Sequence, residues 1–111
     1  MLVPPRVILT SDATGKEIHC GGSTLIGRAL LQRRLEDADA VSASERQFEL
    51  LKDEARGVWV LRHIPAVRNA TSYNGVPVPE TGVDLTEGGV IALGRARLRL
   101  RVSFDDGDKR S

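Results

Sequence analysis

The side chains able to carry chemistry in this 111-residue chain are few and scattered. A single cysteine, Cys20, follows His19, and the second histidine is His63. That set falls short of the four tetrahedral ligands of a structural zinc and lacks their spacing, so no metal or other cofactor is expected. A Cys–His nucleophilic pair needs a third group to orient the base, and the sequence nominates none. An enzyme built on Cys20 or His63 is therefore not expected. Cys20 is expected in the core. One cysteine forms no internal disulfide, which suits a reducing compartment. The remaining chemistry is basic. Arg28 follows Gly27, Arg33-Arg34 precede Glu36, Asp37 and Asp39, and Arg46 and Arg68 stand apart. A guanidinium presents paired N–H donors at angles that match phosphate oxygens. Arg95, Arg97, Arg99 and Arg101 form a row that suits an acidic partner or nucleic acid. With aromatic residues at 4% there is little to stack bases, and such a row more often solvates the outer face of a strand.

Composition sets the frame. The length suits one domain with a single core, and 41% hydrophobic with 28% charged residues is ordinary for a globular protein. A net charge of +1 leaves no bulk field to attract nucleic acid or a membrane surface. The opening MLVPPRVILT lacks the pattern of a signal peptide, and no apolar run is long enough to span a bilayer, so a cytoplasmic location is expected. For the same reason Asn69-Ala70-Thr71 is not read as a glycosylation site.

Short strands separated by turn formers account for most of the chain. Arg6 to Thr10 and Lys16 to Cys20 flank a turn at Ser11–Gly15, and with Ser23–Ile26 the opening reads as a meander. Leu30, Leu31 and Leu35 suit one helical face, although the segment around Arg33 and Arg34 reads as a solvated loop. Residues 45–55 are ambiguous. Ser44-Glu45-Arg46-Gln47 has the form of a capping box, and Phe48, Leu51 and Ala55 recur at helical spacing. Phe48 and Leu50 also alternate with Gln47 and Glu49 as in a strand. Val58–Leu61 suits a strand buried on both faces. Asn74-Gly75 is a strong two-residue hairpin signal. Pro77 and Pro79 confine the segment after the hairpin to an edge strand or loop. Ala96, Leu98, Leu100, Val102 and Phe104 alternate with the arginine row in the clearest strand of the chain. Residues 105–111 read as a charged tail or linker. Many short strands at regular spacing argue for an all-β sandwich of antiparallel or mixed strands.

Gly27-Arg28, Ser44 through Phe48, Trp59, Asn69 through Gly75 and Gly88 through Gly94 stand in an order and spacing that resembles the forkhead-associated (FHA) domain. This is a small β-sandwich, FHA/SMAD-like, that reads phosphothreonine. The resemblance runs from about Val7 to Phe104 and implies one FHA-like domain over residues 1–111, with its core at about 6–104. It favours a strand over residues 45–55. It implies that Arg28 contacts the phosphate, that Ser44 donates its hydroxyl to it, and that Asn69 bonds the peptide backbone beside it. Gln47 stands in place of the family's histidine as a loop brace, and Thr71 and Asn74 tie the loop to the hairpin.

Glu45 and Arg68 also depart from the family pattern. Glu45 stands where an arginine or other polar donor is usual, and Arg68 replaces a hydroxyl that contacts ligand. Glu45 and Arg46 are flanking candidates. Arg68 is either a second phosphate clamp or a partner that closes the pocket by pairing with Glu45. The resemblance implies a phosphothreonine peptide or protein as partner and a Ser/Thr kinase that writes the mark. It also implies a place in a larger signalling or secretion protein. The alternative is a degenerate scaffold that binds an unmodified protein surface or itself, independently of phosphate.

Overall fold

A computed structural model describes residues 3–94 and 97–105. Among these described residues ten strands form two sheets. The strands are β1 (Arg6–Ser11), β2 (Glu17–Cys20), β3 (Thr24–Ile26), β4 (Phe48–Asp53), β5 (Val58–His63), β6 (Thr71–Tyr73), β7 (Val76–Pro77), β8 (Val83–Asp84), β9 (Val90–Leu93) and β10 (Arg99–Asp105). One sheet has the order β2-β1-β10-β9-β6-β7 and the other β3-β4-β5-β8, and every pairing is antiparallel. Between β3 and β4 the chain forms one helix, α1 (Arg28–Leu35), and a 3-10 turn, Ala38–Ser42.

Strand alternation builds the core. Val7, Leu9, Ile91, Leu93, Leu100 and Val102 point inward from the six-stranded sheet and meet Ile26, Phe48, Leu50, Trp59 and Leu61 from the other. All eleven are completely buried, so the two inner faces interlock as a sandwich core. Trp59, the largest of them, donates its indole N–H to the Pro4 carbonyl at 2.8 Å, which satisfies its polar tip. Cys20 is buried on the inward face of β2, and burial pushes its thiol pKa up. His19 faces the other way and meets the Glu17 carboxylate at 2.7 Å.

The ambiguous segment is a strand. Leu50 is fully buried while Leu51 is half-exposed and Ala55 exposed, the period-2 pattern and not the helical one. The opening is not a simple meander: β1 and β2 form a hairpin, but β3 crosses to the other sheet and pairs with β4. Arg33 and Arg34 lie in the last turn of α1, not in a loop, with their side chains exposed and Leu31 and Leu35 buried beneath. Asn74 and Gly75 have φ of 53° and 83°, the two positive values that a type I′ turn requires. The last strand begins at Arg99, later than its alternation suggested, yet the pattern runs through it and the two residues before it: Leu98, Leu100 and Val102 are buried while Arg97, Arg99 and Arg101 are exposed. Asp105, expected in the charged tail, is instead the last residue of β10, paired with Arg6, whose guanidinium donates to its carboxylate at 2.6 Å. Arg95, Ala96 and the rest of that tail, from residue 106 onward, lie outside the described residues. No helix among the described residues is long and apolar enough to cross a membrane.

Candidate binding site at the loop end

Three connections meet at one end of the sandwich: β3 into α1, the 3-10 turn into β4, and β5 into β6. The first two are joined by backbone hydrogen bonds. Arg28 N–H donates to the Ser44 carbonyl at 3.0 Å, and Gln47 N–H donates to the Ile26 carbonyl at 2.9 Å. They approach so closely that a Cβ on Gly27 would sit 1.8 Å from the Glu45 carbonyl oxygen. Only glycine fits there, which gives the Gly27-Arg28 pair a physical reason.

Gln47 is the node of the site. It is fully buried beneath the loops, a costly place for a polar side chain unless every group is satisfied. Its Oε1 accepts from Ser44 N–H at 2.7 Å, and its Nε2 donates to the Asn69 carbonyl at 2.6 Å and to Thr71 Oγ1 at 3.0 Å. One amide thus ties the segment carrying Ser44 to the segment carrying Asn69. A glutamine does this because it offers an acceptor and two donors at once. Asn74 Oδ1 accepts from Val90 N–H at 2.9 Å and anchors the hairpin below.

The expected ligand-contacting residues come together around this node. Arg28 is half-buried, and its guanidinium donates to the Ala43 carbonyl at 3.1 Å. Ser44 Oγ accepts from the Arg68 backbone N–H at 3.0 Å, and Asn69 Nδ2 donates to the Ser42 carbonyl at 2.9 Å. Each contact fixes a side chain but leaves it capacity. Four of the five arginine N–H groups, the serine O–H, and the second amide N–H and the oxygen of Asn69 remain for a ligand. The side chains of Glu45, Arg46 and Arg68 are exposed. Among the described residues no ion pair joins Glu45 to Arg68, and none of Glu45, Arg46 and Arg68 is tied up in a salt bridge. The pairing that would close the pocket is not made.

A groove of about 510 Å³ opens beside Ser44, lined by Glu45, Arg46, Ile64, Pro65, Ala66 and Val67. Its apolar wall, Ile64 to Val67, was not anticipated as part of the site. The signal that could have marked it is Pro65, a loop former just after the β5 run. Ala66 turns the chain there with a φ of 68°, in the left-handed region that a side chain disfavours. Elsewhere, Arg33, Arg34, His63 and Cys20 take no part in this cluster, and among the described residues no group of three or more His, Cys, Asp or Glu side chains is placed to hold a metal ion.

No family sequence model and no curated protein matches the chain. Solved structures do. An FHA domain described in a structural and functional analysis of phosphothreonine-dependent FHA domain interactions is 30% identical, with a TM-score of 0.67 over 90% of this chain and 97% of that one. The FHA domain of FhaA, solved in complex with the intracellular domain of Rv3910, is 31% identical, with a TM-score of 0.64 over 86% and 98% of the two chains. The FHA domain of an Arabidopsis thaliana protein has a TM-score of 0.72 at 24% identity, over 99% and 94%. With its sandwich, its glycine-fixed loop junction and near-complete overlap at this level of identity, the chain belongs to the forkhead-associated domain family.

Proposed function

We propose that this chain is an interaction module that captures phosphothreonine-containing peptides at its loop end. Arg28 and Arg68 bind the phosphate, Ser44 donates its hydroxyl to it, and Asn69 bonds the peptide backbone alongside. The observation that carries this reading is the convergence on Gln47. A single buried amide fixes the segments bearing Ser44 and Asn69 while leaving their outward hydrogen-bonding groups unspent. Preformed donors of this kind bind an anion without first paying the entropy of ordering.

Related FHA domains support the assignment. One of the 30%-identical relatives belongs to a study of phosphothreonine-dependent interactions, and FhaA was solved with a partner's intracellular domain. The module performs no chemistry, so a Ser/Thr kinase writes the mark it reads. A cytoplasmic setting, as a module of a larger protein, fits that role, and a single buried cysteine suits a reducing compartment. The phosphate-independent scaffold is the weaker alternative, because the Glu45–Arg68 closure it requires is absent among the described residues.

Binding to a degenerate phosphothreonine peptide library, with the unphosphorylated library and Arg28→Ala as controls, tests the proposal. Phosphate-dependent capture that Arg28→Ala abolishes supports it. Equal capture of both libraries refutes it.

A further inference from the structure

We propose that Glu45 is a specificity-determining residue that selects phosphothreonine peptides carrying a lysine or arginine close to the phosphorylated residue; this rests on the phosphothreonine reading above. Glu45 lies between Ser44 and Arg46 on the rim of the 510 Å³ groove. Its backbone is pinned, since its carbonyl occupies the space over Gly27. Its carboxylate is exposed and has no salt-bridge partner among the described residues.

A bound phosphate carries close to two negative charges. Arg28, Arg46 and Arg68 attract it, and Glu45 is the one acidic residue lining the groove. A peptide with no cation beside the phosphothreonine leaves that carboxylate near the phosphate, and its repulsion subtracts from the attraction of the arginines. A peptide cation in the groove relieves it, by attracting Glu45 on one side and the phosphate on the other. The groove wall suits the same occupant. Ile64, Pro65 and Val67 offer apolar surface to the aliphatic stem of lysine or arginine, whose charged head stays at the rim. The carboxylate at a position where the family favours a polar donor thus becomes a filter: acidic neighbours of the phosphothreonine are rejected and basic ones preferred.

The test is a series of phosphothreonine peptides in which lysine, glutamine or glutamate is moved through successive positions on each side of the phosphorylated residue, titrated against wild type, Glu45→Gln and Arg46→Gln. The expected result is one or two positions at which lysine binds about 2- to 5-fold tighter than glutamine at low salt, a gap that narrows at high salt. Glu45→Gln removes that preference and binds the glutamine peptide more tightly than wild type does. Arg46→Gln weakens all the phosphopeptides and keeps the lysine preference. Phosphopeptides that bind with the same affinity whatever the neighbouring charge, or a lysine preference that survives Glu45→Gln, overturn the assignment of Glu45 and leave phosphothreonine recognition standing. Failure of every phosphopeptide to bind overturns both.

Discussion

Replacing Gln47 with leucine is the most informative single perturbation of the loop end. The substitution keeps the volume of the buried side chain, so cavity and overpacking effects stay small. What it removes is three hydrogen bonds, from Ser44 N–H at 2.7 Å, to the Asn69 carbonyl at 2.6 Å and to Thr71 Oγ1 at 3.0 Å. Thr71 is buried, so its hydroxyl loses a partner that water does not replace, costing about 2 kcal/mol. Ser44 and Asn69 are half-exposed, and water takes over part of their hydrogen bonding, leaving about 0.5–1 kcal/mol each. The sum is about 3–4 kcal/mol, a large share of the ~5–15 kcal/mol that holds a domain together. Urea denaturation followed by tryptophan fluorescence measures it through Trp59, with the midpoint lowered and the slope unchanged. Phosphopeptide affinity, taken where Gln47→Leu is still folded, falls about tenfold, because the segments bearing Ser44 and Asn69 are no longer tied together. Thr71→Val, which removes only one of the bonds, costs about 1 kcal/mol and leaves affinity nearly intact. A Gln47→Leu protein destabilised by less than about 1 kcal/mol, with unchanged affinity, refutes the idea that this amide organises the site.

Gly27→Ala drives a methyl group into the Glu45 carbonyl and forces the two loops apart, so chemical denaturation reports a loss of about 2–3 kcal/mol and phosphopeptide affinity drops with it. Ala66→Gly relieves a left-handed residue in the groove loop and raises stability by up to about 1 kcal/mol in the same assay. The Cys20 thiol, raised by burial from its unfolded value of 9.0, stays neutral in the fold while the unfolded chain ionises first. Stability therefore holds below about pH 9 and declines as pH rises toward the folded value, and Cys20→Ala flattens that alkaline decline in a pH series of denaturation curves. In native protein Cys20 reacts slowly with a thiol reagent at neutral pH, and urea releases it.

The parts of the fold that were legible in the sequence are those with a local physical cause. The β5 run, the alternation through Leu98, Leu100 and Val102, and the Asn74-Gly75 turn each carry their own signal. The β4 segment did not, because Phe48, Leu51 and Ala55 satisfy helical spacing as well as Phe48 and Leu50 satisfy a strand. Packing between β3 and β5 decides it. The helix α1 was only half visible: its N-cap Gly27 has no side-chain cap, no acidic residue stands in its first turn, and it is held by burial of Leu31 and Leu35. The crossing of β3 into the second sheet is a matter of long-range pairing that no local pattern encodes. In the site, the side chains named from the family pattern do converge, but the partners that orient them are the carbonyls of Ser42, Ala43 and Asn69. Every residue offers a carbonyl, so sequence does not distinguish these. The apolar groove wall from Ile64 to Val67 was hidden for a similar reason, as four loop residues gain their common surface only when the turn at Ala66 brings them together.

Whether the loop end grips phosphothreonine is decided by NMR titration of the isotope-labelled domain with a library-selected peptide. With the phosphorylated peptide, amide shifts are expected to concentrate at Gly27, Arg28, Ser44, Arg68 and Asn69, with none of comparable size on β1, β2 or β10. The same peptide with unmodified threonine is expected to give no response. Shifts that appear with both peptides, or that map to the outer face of the six-stranded sheet around Arg97 and Arg101, would contradict phosphothreonine capture at this end of the sandwich.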